Sequence, residues 1–427
     1  MTARPPQLPS EGLDDPSVSR LPESLSALGS AEYRWFAAGA LISGVGVWAV
    51  RAAQVFMVLA ATRGSGLAAG ALAALQYFPL MVLGGAVGVL ADRRPKARVL
   101  AAGVVFMAVS AALEGLLASR AQIGTSIELL LALVFGMGSA VDNSLRIAVA
   151  PELVPEASIA NAVSLNFVLL QVARLAGPAV AGVGMAVWGP TPVFMGAAAT
   201  MLLYVVVLLR LHAPFASSRR SEDGSARAGL AYVRQRPDLV LIFAMVGLGG
   251  LIGPNLGTMA AVVVEVGYAG NTAQAGFVTS VLATGTLLGA VWTTRHPARA
   301  VSAVARATAL LGMTSIVASL APSVASFALL LMPTGFAALV MVSQAGSLIQ
   351  TAVDPAFRGR VTSLYAIVIL VGVPIGSPVY GALTAMIGPR LSLAAMGSLL
   401  VLATLLAAAA YRRIATTTDG PAVEVVD

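Results

Sequence analysis

The sequence predicts an all-α membrane protein, with twelve transmembrane helices in two pseudo-symmetric six-helix bundles. Three observations predict this fold class. The 427 residues are 58% hydrophobic and only 11% charged, with a mean hydropathy of +0.88, whereas about 25% of the residues of a soluble domain are charged. Apolar runs near the length of about 20 residues that a spanning helix needs recur along the chain. Basic residues are concentrated in alternate connections between these runs.

The apolar runs give the predicted spans, of which the longest must tilt or extend past the bilayer. They lie at 35–60, 67–91, 99–118, 124–150, 158–187, 190–211, 238–264, 272–294, 299–320, 322–350, 361–386 and 389–411. Residues 1–34 are rich in Pro, Ser and acidic side chains, which predicts a disordered cytoplasmic tail rather than a signal peptide.

The positions of the basic residues predict the topology. With both termini in the cytoplasm, most of the 26 Lys and Arg residues fall on the cytoplasmic side. Only Arg63, Arg120 and Arg390 lie outside, and Arg51 and Arg174 lie within spans. Cytoplasmic connections carry such an excess of Lys and Arg. We therefore expect a multi-pass protein of the inner (plasma) membrane with both termini cytoplasmic.

The midpoint divides the chain into two halves. A polar stretch at 212–237 predicts a cytoplasmic linker between bundles at 35–211 and 238–412, and 413–427 forms a second cytoplasmic tail. Charged, proline-bearing connections precede the fifth span of each half, which indicates duplication. Many carriers place a central site between two such halves.

Composition excludes several classes of function. The chain has no cysteine and two histidines, which argues against a metal centre, and no nucleophile triad or phosphate-binding loop is apparent. We expect no cofactor, no enzymatic activity and no nucleic-acid partner. A membrane scaffold without transport activity would explain the hydrophobicity alone, whereas a carrier of a small molecule also explains the halves and the charges within spans.

A charged stretch after the second span carries a family signature. Gly88, Asp92, Arg93 and Lys96 stand at the spacing of the loop 2–3 motif of the major facilitator superfamily, which the stretch resembles, although Pro95 replaces a usual glycine. The alternative is an ordinary basic cytoplasmic connection. Further patterns are similar to the twelve-span drug exporters of this superfamily, in the branch of the macrolide efflux proteins and the enterobactin exporter. They are Ser43–Trp48, Leu75–Pro79, Leu153–Pro155 with Asn161, and Arg358–Val361.

The resemblance implies the major facilitator fold and a monomeric secondary transporter that works by alternating access. Its expected activity is proton-coupled efflux of a lipophilic drug or a secondary metabolite. Export of a siderophore is the second alternative, and import of a nutrient is the third.

Small residues and a proline recur on the fifth span, at Ala173, Gly177, Pro178, Ala181 and Gly182. Small residues permit close helix approach, and proline removes a backbone hydrogen bond. The pattern resembles the antiporter motif of proton-coupled exporters, while ordinary helix packing is the alternative. Span 7 carries a similar cluster around Pro254, which predicts a bent or broken helix.

Polar residues within spans are the remaining candidates for the transport site, since charges in a membrane are costly. Arg51 and Arg174 are expected to line the cavity. Glu114 is expected to be a counter-charge for one arginine and a proton carrier, unless it points outward at the membrane surface.

Two further sets of polar residues are candidates. Asp142 and Arg146, four residues apart and therefore on one helix face, predict a cytoplasmic latch with Asp92 and Arg93, or else a local pair. Asn166 and Asn255 are candidate substrate contacts, or else links between helices.

Overall fold

The computed structural model describes residues 23–120, 124–211, 226–298 and 300–417, and every regular element in these ranges is helical. The α-helices are α1 Ala31–Ala61, α2 Gly66–Arg93, α3 Lys96–Ser119, α4 Thr125–Val149, α5 Ile159–Trp188, α6 Pro190–Arg210, α7 Ala226–Arg234, α8 Pro237–Ile252, α9 Leu256–Val262, α10 Thr272–Arg295, α11 Val301–Ser319, α12 Val324–Ala352, α13 Pro355–Ile387 and α14 Pro389–Thr417. Within these ranges, twelve helical stretches are long and apolar enough to cross a membrane, with α8 and α9 counted as one. The predicted fold class is confirmed.

Local sequence explains where the helices begin. The side chain of Ser65 accepts a hydrogen bond from the backbone of Ala68, and Asn271 forms a capping box with Gln274, which satisfies N–H groups that the first turn leaves free. Gly189 and Gly388 each form a one-residue connection with φ near +80°, followed by a proline. Glycine adopts this conformation without strain. The same turn therefore follows the fifth span of each half.

The helices pack as two groups of six spans. In the first group α1 packs on α5 and α6, and α4 packs on α2 and α3; in the second α12 packs on α10 and α11, and α8 on α13. The two groups meet along two helix pairs, α2 with α13 and α5 with α10. These two pairs enclose the space between the groups.

The helix pairs between the groups are tightest at one end of the bundle, which we call the closed end. A Cβ added to Gly70 would lie 2.3 Å from the Ser377 carbonyl oxygen, and one added to Gly276 would lie 2.5 Å from that of Pro178. Near the other end of α2, a Cβ on Gly84 or Gly88 would meet no atom within 4 Å. We call this the open end, because the groups are less closely apposed there.

Three predicted boundaries need correction. The predicted disordered tail at 1–34 is wrong for its last part, since Glu23–Gly29 forms a 3-10 helix and α1 begins at Ala31. The Ala27 amide donates to Asn161 and the Ser30 hydroxyl to the Leu153 carbonyl, which anchors this segment to the bundle.

The linker and the last boundary also differ from the prediction. The linker at 212–237 contains the helix α7, and the last helix, α14, runs past 412 to Thr417 and so into the predicted tail. The remainder of the predicted tails, at 1–22 and 418–427, and the linker portion 212–225 lie outside the described residues.

The seventh span is interrupted where the sequence predicts a bend. Gly253–Asn255 forms a single 3-10 turn between α8 and α9. Pro254 cannot donate a backbone hydrogen bond, and the Asn255 side chain replaces part of the lost bonding by donating to the Leu251 carbonyl at 2.8 Å. The interruption faces the space between the groups.

Candidate functional site: a cavity between two unlike walls

A central cavity of about 340 Å³ lies between the two six-helix groups. Residues of the first group form one wall, which we call the first wall, and residues of the second group form the second wall. The first wall includes Gly44, Trp48, Arg51, Gln76, Tyr77, Asp142, Asn143, Arg146, Arg174 and Pro178. The second wall includes Asn255, Thr279, Leu282, Ala283, Thr286, Ala338, Leu339, Val342 and Ile369. In the described part of the chain, every charged residue that lines the cavity belongs to the first wall.

Arg51 and Arg174 both lie on the first wall, and aromatic rings contact both guanidinium groups. The Arg51 guanidinium lies 4.2 Å from the Tyr77 ring centre and 5.7 Å from that of Trp48, and Arg174 lies 5.1 Å from Trp48. Arg51 also donates to the Ser139 hydroxyl at 2.6 Å. Aromatic faces attract cations without neutralising them, so this wall keeps its positive charge.

Asp142 and Arg146 form a closed ion pair. Arg146 donates to both carboxylate oxygens of Asp142 at 2.7 to 3.1 Å and to the Ala40 carbonyl at 3.3 Å. Both residues are buried and both line the cavity. The pair therefore contributes no net charge to the first wall. Its predicted latch with Asp92 and Arg93 stays a prediction, because the Asp92 side chain lies outside the described part of the structure.

Glu114 is buried on α3 and contacts an amide rather than an arginine. Its Oε1 accepts a 2.6 Å hydrogen bond from Gln54, and Gln54 accepts one of 2.7 Å from Gln76, which lines the cavity. The prediction that Glu114 is a counter-charge for an arginine is therefore wrong. It does not point outward either, because its side chain is fully enclosed.

Glu128, on the first turn of α4, is a second buried acid close enough to Glu114 to interact with it electrostatically. Neither Glu128 oxygen, nor Oε2 of Glu114, has a hydrogen-bond partner in the described part of the chain. A buried charge without a partner is so costly that such groups take a proton instead. The two carboxyls and two glutamines thus form a polar path from the cavity into the first group.

The polar side chains of the second wall form hydrogen bonds chiefly within the second group. The amide of Asn255 contacts the Leu251 carbonyl and reaches the Gly372 carbonyl at 3.4 Å, and its oxygen accepts from the Ser377 hydroxyl. Thr279 donates to the Ala275 carbonyl of its own helix. Asn255 therefore lines the cavity and also links the interruption of the seventh span to α13.

The predicted small-residue motif of α5 packs against two different helices. Ala173 meets Gly44, and a Cβ on Gly177 would lie 2.4 Å from that of Trp48, both on α1. Pro178 and Gly182 face α10, where a Cβ on Gly182 would lie 2.6 Å from the Thr272 carbonyl oxygen. Ala181 is fully buried. The motif therefore joins α5 to its own group and to the other.

The loop 2–3 residues lie at the open end. Gly88, Asp92 and Arg93 occupy the second half of α2, where Arg93 is exposed, and the Asp92 side chain lies outside the described part of the structure. Lys96 begins α3 and forms an ion pair with Glu152 of the connection between α4 and α5. This pair ties the two connections together and was not predicted.

The structure places one candidate residue away from the cavity lining and adds residues that were not predicted. Asn166 is buried but is not among the cavity-lining residues, so its contact with substrate stays a prediction. Glu128 lies four residues after the start of the predicted span. From the sequence alone it is not distinguished from a residue of the adjoining connection. Trp48 and Tyr77 were not predicted to line the cavity, although aromatic rings beside a buried arginine are a recognisable signal.

Comparison with protein families gives one match that covers most of the chain. The family described as "Transmembrane secretion effector" matches residues 23–420. A curated relative, the staphyloferrin A transporter of Staphylococcus aureus (strain NCTC 8325 / PS 47), is 32% identical over 148 residues. This alignment covers 34% of the chain and 37% of the relative. The match therefore spans just over a third of that transporter.

Solved transporter structures share the fold. A bacterial homologue of the human lysosomal transporter Spinster, in an inward-facing and occupied conformation, aligns with a TM-score of 0.69 at 16% identity. The alignment covers 92% of this chain and 100% of that one. The nucleoside transporter NupG aligns with a TM-score of 0.68 at 12% identity, over 90% and 99% of the two chains. At such identities the likeness establishes the fold.

Proposed function

Because this chain belongs to the transmembrane secretion effector family of major facilitator transporters, we propose that it exports a lipophilic or amphipathic metabolite or drug by proton-coupled alternating access. The family makes it a multi-pass membrane transporter of a small molecule. Substrate class, direction and coupling ion are the parts that we propose. The observation that supports them best is a cavity built by both six-helix groups, which are closely apposed at the closed end and less closely apposed along α2 at the open end.

Orientation follows from the charges. Arg34, Arg98, Arg210 and Arg295 lie at or near the open end, together with the Lys96 pair, while Arg63, Arg120 and Arg390 lie at the closed end. Since basic residues remain in the cytoplasm, we place the open end and both termini on the cytoplasmic side of the plasma membrane. In this orientation the cavity takes its substrate from the cytoplasm, as an exporter requires. A single copy contains both walls, and we propose a monomer.

Coupling is assigned to the carboxyl pair Glu114 and Glu128. The hydrogen-bonded path through Gln54 and Gln76 connects Glu114 to the cavity, and Glu128 is close enough to Glu114 to interact with it electrostatically. A carboxyl that is buried in one state and hydrated in another exchanges a proton as the transporter changes state. Asp142, the other candidate, is held by Arg146 on both oxygens and acts as a structural partner.

Export of a siderophore is the second candidate. It is favoured by the similarity to the staphyloferrin A transporter and by the positive charge of the first wall. Neither observation favours import of a nutrient.

The test is transport by the purified full-length protein in proteoliposomes. A panel of labelled amphipathic compounds and iron-free siderophores is added with and without an imposed pH gradient. We expect accumulation of at least one compound, and we expect nigericin, which collapses the gradient, to abolish it. Accumulation that persists after the gradient has collapsed would contradict proton coupling. Equilibration of every compound at the rate of empty liposomes would contradict transport of these classes.

A further inference from the structure

We propose that Arg51 and Arg174 form an anion-binding subsite and that the transported molecule is an organic anion, with its acidic group at this subsite and its apolar body on the second wall. The proposal rests on the transport function proposed above and specifies its substrate class.

The first observation is an uncompensated charge. Arg174 has no ion pair or hydrogen bond in the described residues, and Arg51 has no ion pair in them. The carboxylates near the cavity are committed elsewhere, since Asp142 is held by Arg146 and Glu114 bonds to Gln54. Arginine stays protonated under all ordinary conditions. The wall therefore carries two positive charges.

The second observation is an unfilled donor. Arg51 is only 6% exposed, and its Nη1 has no hydrogen-bond partner in the described structure, whereas Nη2 bonds to Ser139. Leaving a buried charged donor unpaired is expensive. A carboxylate that accepts from Nη1 would remove this cost.

The third observation is the spacing of the two arginines. Both guanidinium carbons lie within 6 Å of the Trp48 ring centre, so they are at most about 11 Å apart. Two like charges this close repel each other in a medium of low dielectric constant. One anion between them is attracted to both, and the planar donor forks match the geometry of a carboxylate.

The second wall indicates the chemistry of the rest of the transported molecule. Leu282, Ala283, Ala338, Leu339 and Val342 offer an apolar surface with no charge. A fully ionic small molecule would leave this surface without a contact, while an organic anion with an apolar body contacts both walls. The subsite therefore selects an amphipathic acid over an amphipathic amine.

The experiment compares three probes that share one apolar body. 1-Naphthoate, 1-naphthamide and 1-naphthylmethylammonium are titrated into the full-length protein in detergent, with calorimetry as the readout. We expect the naphthoate to bind about tenfold or more tightly than the amide and the ammonium to bind weakest. Arg51→Gln and Arg174→Gln should each weaken naphthoate binding about tenfold, which is about 1.4 kcal/mol, and leave naphthamide binding unchanged.

Matched variants separate charge from folding. Arg51→Lys and Arg174→Lys keep the charge and should retain the preference for the anion. Arg360→Gln removes an arginine that also lies on an aromatic ring, 5.4 Å from Phe357, but not among the cavity-lining residues, and should bind naphthoate like the parent. Equal binding of all three probes, or naphthoate binding unaffected by both cavity substitutions, overturns the subsite. Anion-selective binding without any gradient-driven transport supports the subsite and contradicts the proposed function.

Discussion

The two walls of the cavity differ in chemistry although the two halves of the chain repeat the same architecture. Both fifth spans end in the same glycine–proline turn, at Gly189 and Gly388. Yet the first wall carries every charge that lines the cavity, and the second wall is apolar with a few hydroxyl and amide groups. The two halves therefore share a frame, and we propose that they differ in role: the first provides electrostatic recognition and proton chemistry, and the second provides apolar contact.

The largest effect is expected when a charge on the first wall loses its partner. Arg146→Gln leaves Asp142 buried without a cation, and breaking a buried ion pair in this way costs about 3–5 kcal/mol. The double variant Asp142→Asn with Arg146→Gln should recover most of the loss. The measurement is the thermal unfolding midpoint in detergent.

The control for this prediction is a pair at the start of α8. Asp238 raises the pKa of Arg236, mainly through their hydrogen bonds, but Arg236 is partly exposed, and solvent-exposed pairs contribute about 0–1 kcal/mol. Arg236→Gln should therefore shift the midpoint little. Equal shifts for Arg146→Gln and Arg236→Gln would mean that the first wall gains nothing from its closed ion pair.

The contact that holds the two walls face to face gives the next prediction. Gly70→Val inserts a side chain at a position where an added Cβ alone would lie 2.3 Å from the Ser377 carbonyl oxygen. The substitution should therefore lower both the unfolding midpoint and the transport rate. Gly84→Val, on the same helix near the open end, meets no atom within 4 Å. It should keep the midpoint of the parent but slow transport, because alternating access brings the open ends together. Normal transport by Gly84→Val would contradict closure along α2.

The smallest effect is expected on the second wall. Leu339→Ala removes apolar contact worth about 0.8 kcal/mol per buried methylene, so binding of 1-naphthoate and 1-naphthamide should weaken by the same factor, about threefold to tenfold. Leu329→Ala, on the same helix but 67% exposed, is the control and should change neither affinity. A change confined to naphthoate would mean that the second wall also reads the charge.

Much of the frame is predictable because it depends on local pattern. Span count follows from apolar length, and the break at Gly253–Asn255 follows from a proline between glycines. Arg51 and Arg174 could be assigned to the cavity because a membrane tolerates charge in few other places.

The remaining features depend on which helices contact each other, and the sequence alone does not predict those contacts. Gln54, Glu114 and Glu128 lie on α1, α3 and α4, and helical periodicity shows which residues share a face without showing which faces meet. Asn166 satisfies the same polar-in-span rule as Asn255, but it is not among the cavity-lining residues. The tail prediction failed for Glu23–Gly29 because Ala27 and Ser30 bond to the α4–α5 region, far away in sequence.

The proton chemistry proposed for the first six-helix group is tested most directly by uphill transport in the double variant Glu114→Gln with Glu128→Gln. Proteoliposomes are loaded with a transported compound from the panel and assayed for exchange without a gradient and for accumulation with a pH gradient. Glu265→Gln, near the closed end, is the control. We predict that the double variant exchanges at the parent rate but no longer accumulates substrate, while Glu265→Gln does both. Accumulation by the double variant equal to that of the parent would contradict the carboxyl pair as the coupling site.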